Sequence, residues 1–181
     1  MSIRLWAIER YFPEALRRRI LGELVRLTAD AFGAPPPDVR RLERDGAMAA
    51  FARFTCSEAE RAIRTPSSSP AVRDRLYRGA RELGTRARRC LGVRTASEAG
   101  RALRVLYHAI DIDLDADLGT REIAVSRCAF SSVYTPEVCE FVSALDAGIV
   151  SGLTGGMSLE FTQRITEGAP MCRARLTGSA R

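Results

Sequence analysis

Residues 120–177 read TREIAVSRCAFSSVYTPEVCEFVSALDAGIVSGLTGGMSLEFTQRITEGAPMCRARLT, and the periodicity of this stretch decides the fold. From Arg121 to Cys128 the chain alternates, with Ile123 and Val125 on one face and Glu122, Ala124, Ser126 and Cys128 on the other, as a half-buried strand does. Thr135-Pro136 has the grammar of a helix start: the hydroxyl is an N-cap, and proline stands where no backbone donor is needed. The helix is expected from Pro136 to about Leu153, with Gly155-Gly156 ending it. Cys139, Val142, Ser143, Asp146 and Val150 recur at three- and four-residue spacing, which puts a thiol and a carboxylate on one helix face two turns apart. Met157, Leu159, Phe161 and Ile165 then alternate with Ser158, Glu160, Thr162 and Arg164. A turn at Glu167-Gly168-Ala169-Pro170 leads into a strand with Cys172, Ala174 and Leu176 inward. The unit is strand, helix and hairpin.

Upstream, Ile110-Asp111-Ile112-Asp113-Leu114 alternates as a first strand, turned by Leu118-Gly119 into the strand at Arg121. Before it the chain reads as helices. Apolar stripes run through Ile20, Leu24 and Leu27, with Pro13 at a helix start; through Val39, Leu42, Phe51 and Phe54, with Asp38 as cap; and through Val72, Leu76, Ala80 and Leu83 in a basic helix ending near Leu91. Thr95 to Tyr107 forms one more. The expected architecture is α+β in one domain spanning 1–181: a helical part, 1–108, followed by a small, mostly antiparallel sheet with one inserted helix, 109–181.

Composition narrows the function classes. The chain contains no lysine, and all 28 basic residues are arginine. Residues 1–108 hold 22 arginines against 12 acids, whereas 109–181 hold 6 against 10, so the halves carry opposite net charge. The arginines nevertheless fall at helical spacings opposite apolar stripes, with no recognition-helix or aromatic RNA-binding motif beside them, which argues against nucleic-acid binding. No apolar run approaches the roughly 20 residues of a membrane span, and MSIRLWAIERYF lacks a signal-peptide layout. A cytoplasmic protein with no membrane partner is expected, and the odd count of five cysteines fits reduced thiols.

Three of those cysteines, Cys128, Cys139 and Cys172, lie at element borders in the last third. A thiol in the first turn of a helix feels the positive end of the peptide dipoles, which favours thiolate at Cys139, while Glu137 and Glu140 oppose it. Asp146 among Val142, Ala147 and Val150 needs a partner or a ligand to offset the cost of burial, and Arg164 is the candidate. Cys128, Cys139 and Cys172 could instead bind zinc, although spacings of 11 and 33 lack the close cysteine pairs of zinc ribbons. His108 is the one side chain that titrates near neutrality without perturbation and is a candidate general base. Cys56 and Cys90 read as structural.

The segment LEFTQRITEGAPMCRARL resembles the closing hairpin of the L-2-amino-thiazoline-4-carboxylic acid hydrolase family, through Phe161, Arg164, Gly168 and Cys172, with Cys128, Cys139 and Asp146 upstream. The resemblance covers roughly the last third of the chain. A cysteine placed after a glycine turn also resembles the V4R ligand-sensor domains. Where the hydrolase family carries acidic residues after the turn glycine and after the last cysteine, this chain has Ala169 and Arg173. The resemblance implies a hydrolase that opens a C–N bond of a small carboxylate-bearing heterocycle without a cofactor. Cys139 would be the nucleophile and Cys172 its alternate. Asp146 would orient the ring nitrogen or move a proton, Arg164 would hold the carboxylate, and Cys128, Tyr134 and His108 would complete substrate binding. The V4R similarity implies a non-enzymatic, dimeric ligand-binding module with structural or zinc-bound cysteines.

Overall fold

The computed structural model describes residues 2–178; Met1 and 179–181, the ends of the expected domain span, lie outside the described residues. Five helices come first: α1 (Ile3–Arg10), α2 (Glu14–Phe32), α3 (Arg44–Ile63), α4 (Ser69–Leu91) and α5 (Ala96–His108). They are followed by β1 (Ile112–Asp117), β2 (Glu122–Cys128), α6 (Pro136–Val142), α7 (Ala144–Thr154), β3 (Ser158–Gln163) and β4 (Cys172–Thr177). The sheet order is β1-β2-β4-β3 with every pairing antiparallel, so the chain is α+β, helices first. One continuous apolar core joins Leu5, Leu24 and Leu76 of the helices to Val125, Ala174 and Leu176 of the sheet. Among the described residues no helix is long and apolar enough to cross a membrane.

Local chemistry explains most boundaries. The Thr95 hydroxyl accepts from the Glu98 amide while the Glu98 carboxylate accepts from the Thr95 amide, a capping box that starts α5. Thr135 caps α6 by accepting from the Val138 amide at 3.3 Å, with Pro136 in the first turn. Gly33, Gly92 and Gly155 close α2, α4 and α7 in the left-handed conformation.

The tightest contact is between α4 and α7. A Cβ on Gly148 would run into the Tyr77 carbonyl oxygen, and one on Gly152 into that of Arg81. Two glycines one turn apart thus let α7 lie backbone to backbone on α4, and this buries Val150 and Leu153 almost completely.

Four expectations are corrected. α3 begins at Arg44 rather than at Asp38, because the Asp38 carboxylate accepts from the Arg40 amide at 3.2 Å and closes a local turn instead of capping a helix. β1 begins at Ile112: the Ile110 amide still donates to the Tyr107 carbonyl, and Asp111 takes a positive φ of 56° held by Arg17 and Arg44. The expected single helix from Pro136 divides at Ser143, whose hydroxyl donates back to the Glu140 carbonyl at 2.6 Å and tightens that turn. Finally, β2 carries a bulge. Asp113 pairs with Arg127 but Leu114 with Val125, so Ser126 has no partner across the ladder. That extra residue inverts the alternation and brings Cys128 to the inward face with Ile123 and Val125.

Candidate functional site

A cavity of about 90 Å³ opens where the helical part meets the sheet. Its walls come from α2 and α3 (Leu24, Phe51), the end of α5 (Tyr107), the end of β2 (Cys128), α6 and α7, the turn after β3, and the first residue of β4 (Cys172). The lining is mainly apolar, with Val142, Leu145 and Ile149 supplied by α6 and α7. The polar groups set into it decide what it can do.

Cys139, Asp146, Cys128, Cys172 and Tyr134 all line this cavity, so five of the seven side chains singled out from the sequence meet there. Cys139 and Asp146 share the inner face of α6 and α7 as their seven-residue spacing requires. Cys172 opens β4, and its sulfur accepts from the Ile165 amide at 3.3 Å. Tyr134 shares a short hydrogen bond of 2.5 Å with the buried Thr55 hydroxyl and packs against Phe130 at 5.3 Å with the rings tilted by 37°, which fixes it as a wall.

Arg164 stands immediately behind this group. Its side chain is 89% buried, its guanidinium lies 4.3 Å over the Phe161 ring, and among the described residues its one ion pair is a long one of 3.7 Å to the half-exposed Glu167. Arg164 Nη1 is buried with no hydrogen-bond acceptor. The Thr166 hydroxyl, two residues on and lining the cavity, also lacks a hydrogen bond of normal geometry, though it sits beside the Cys139 thiol. Among the described residues these are the two buried side-chain polar atoms left without partners; Thr166 lines the cavity, and Arg164, two residues before it, does not.

Electrostatics follow from burial. Asp146 lies deep in the protein with only its cavity face open, and desolvation raises its pKa to about 6, against the Tyr107 hydroxyl, which donates to Oδ1 at 2.5 Å, and the charge of Arg164. The same desolvation lifts all three thiols. Cys128 is pushed to about 12; Cys139 and Cys172 rise less, because the Thr166 hydroxyl at Cys139 and the Ile165 amide at Cys172 favour the thiolate, helped at both by the charge of Arg164. The helix-start effect expected at Cys139 is therefore outweighed by its burial, and the resting thiols are protonated at neutral pH.

His108 is not brought here. It is exposed at the end of α5, edge-on to Phe12 at 5.6 Å, in a surface groove with Glu9 and Asp113. Cys56 and Cys90 also lie apart, the latter exposed. Among the described residues no group of three or more His, Cys, Asp and Glu side chains is arranged to hold a metal ion. Tyr107, Ser131 and Thr166 are polar members that sequence reasoning missed. A tyrosine within a buried apolar stripe needs a hydroxyl partner, and that need was the available signal for Tyr107.

No protein-family model matches the chain, and no curated protein matches it.

Proposed function

We propose that the cavity is the active site of a thiol-dependent hydrolase that opens a C–N bond of a small, carboxylate-bearing cyclic amidine. The observation that carries this reading is the buried, unsatisfied Arg164 Nη1 beside Cys139, Cys172 and Asp146. A guanidinium held in place without an acceptor suits a ligand carboxylate. The likeness to the thiazoline-carboxylate hydrolases supports the same chemistry through the same residues. Substrate carboxylate satisfies Arg164, and the amidine carbon is presented to Cys139. Asp146 is largely ionised at neutral pH with a pKa of about 6, and it takes the thiol proton as the S–C bond forms. The ring C–N bond then breaks, with Asp146 returning that proton to the leaving nitrogen. Water next cleaves the S–C bond and restores the thiol. Turnover should therefore rise as pH increases through about 6.

The elevated thiols favour a second reading: a V4R-like module, dimeric, that binds the same small anion without turning it over. One experiment separates the two. Wild type and Cys139→Ser are assayed for ring opening of cyclic amidine carboxylates, with thermal shift read in parallel. Turnover abolished in Cys139→Ser with ligand stabilisation retained supports the hydrolase. Stabilisation without turnover in wild type supports the binding module, and turnover that survives Cys139→Ser removes that thiol from the mechanism.

A further inference from the structure

A second and larger cavity, of about 240 Å³, lies on the far side of α2, between its first turns, the segment 33–43 and the start of α3. Five arginines and one acid line it, and its floor is apolar. Leu21 and Met48 come up from the core, while Val39 and Leu42 lean in from the 33–43 segment, with Leu42 39% exposed. The three prolines Pro35-Pro36-Pro37 and the Asp38 turn stiffen that segment, so the wall exists before anything binds.

The arginines are not equivalent. Arg17 is spent on structure, donating to the carbonyls of His108 and Ala109 at 2.8 and 3.3 Å and pairing with Asp111. Arg44 also pairs with Asp111. Among the described residues Arg18 pairs with Glu14 alone, at 3.5 Å, with both side chains more than half exposed, a pair that water and salt weaken. The Arg40 side chain has no ion pair among the described residues. A purely solvated arginine face needs no concavity and no exposed apolar floor beneath it.

We infer that this cleft is a binding site for a small amphipathic oxyanion, an aromatic or short alkyl body bearing a carboxylate or phosphate. The body lies on Leu21, Val39, Leu42 and Met48, and the oxyanion is held by the guanidinium forks of Arg40 and Arg18. The site is independent of the thiol cavity, whose lining shares no residue with it.

The test is calorimetric titration of the full chain at low salt with phenyl phosphate, benzoate and inorganic phosphate. Phenyl phosphate or benzoate should saturate one site at least about tenfold more tightly than inorganic phosphate, and the better of the two names the head group. Arg18→Ala/Arg40→Ala should weaken it by about tenfold or more, since each charged hydrogen bond lost is worth that much. Leu42→Ser should weaken phenyl phosphate while leaving inorganic phosphate unchanged. Arg164→Met should leave binding intact. Equal affinity for phenyl phosphate, benzoate and inorganic phosphate would overturn the proposal, as would binding that survives the double arginine variant but disappears in Arg164→Met.

Discussion

Replacing Asp146 with Asn should stabilise this protein at neutral pH while removing the proposed turnover. A carboxyl shifted from its ordinary 3.8 to about 6 by burial costs the fold about 3 kcal/mol in the ionised state. The sign fixes the pH window. Below 3.8 the group is protonated in folded and unfolded chains alike and the cost is absent; between 3.8 and about 6 the unfolded chain ionises first, so stability falls as pH rises. Above about 6 the whole cost is present. Asparagine keeps an oxygen to accept from Tyr107 Oη but brings an amide with no assigned acceptor, so a net gain of about 2 kcal/mol is expected. Urea denaturation of both proteins at about pH 4 and about pH 8 reads the difference, since other titrating groups cancel between them. The Asn variant should lead by about 2 kcal/mol at the higher pH and trail by roughly 0.5 kcal/mol at the lower, where little of the ionisation cost remains and the amide penalty does. An Asn variant less stable at about pH 8, or a gap that does not change with pH, refutes the picture of a destabilised buried carboxylate.

Gly152→Ala places a methyl against the Arg81 carbonyl at the α4–α7 contact and should cost roughly 1–3 kcal/mol, despite the better helix propensity of alanine; an unchanged denaturation midpoint would contradict that backbone contact. Alkylation by iodoacetamide at neutral pH should label exposed Cys90 first and Cys128 last, and Arg164→Met should slow Cys139 and Cys172 further by removing the charge that favours their thiolates. Peptide mapping by mass spectrometry gives the order, and early labelling of Cys128 would contradict its burial. Deleting Ser126 removes the bulge yet leaves Cys128 two positions after Val125, on the inward face, so Cys128 should stay slow to label with the sheet retained; a Cys128 that labels quickly would show that the local geometry of the bulge, not strand alternation, holds it inward.

The sheet and most helices were legible because each has a clean period and a recognisable cap, as at Thr95, Thr135 and Gly155. The meeting of Cys128, Cys139, Cys172 and Asp146 was only half legible. Seven-residue spacing joins Cys139 to Asp146 on one helical face, and that is local information. Cys128 faces the cavity through a bulge, and single-strand alternation assigns it to the wrong side because one inserted residue leaves no mark on composition. The late start of α3 was hidden for a related reason: Asp38 has the chemistry of a cap, and whether it caps a helix or closes a turn depends on where Arg40 and the three prolines send the chain. The α4–α7 contact was written in the sequence as Gly148 and Gly152, small residues one turn apart, but its partner helix was not. His108 was misleading because an imidazole is a chemical candidate irrespective of place, whereas its position at the exposed end of α5 is decided by packing against Phe12.

Placement of the site at the departures from regular structure has an energetic logic. The bulge at Ser126 turns Cys128 toward one apolar cavity, and the turn after β3 brings Thr166 to its lining with Arg164 buried close behind. Regular elements would send these groups to solvent or to partners of their own, and the interior would be more stable for it. The protein instead retains a raised carboxyl, three protonated thiols and a guanidinium nitrogen without an acceptor around a single small space. A core selected for stability alone would fill such positions with leucine. One ligand bearing a carboxylate for Arg164 and a protonated nitrogen for Asp146 would remove both electrostatic penalties at once, so unfavourable burial in the free protein becomes selective affinity in the complex.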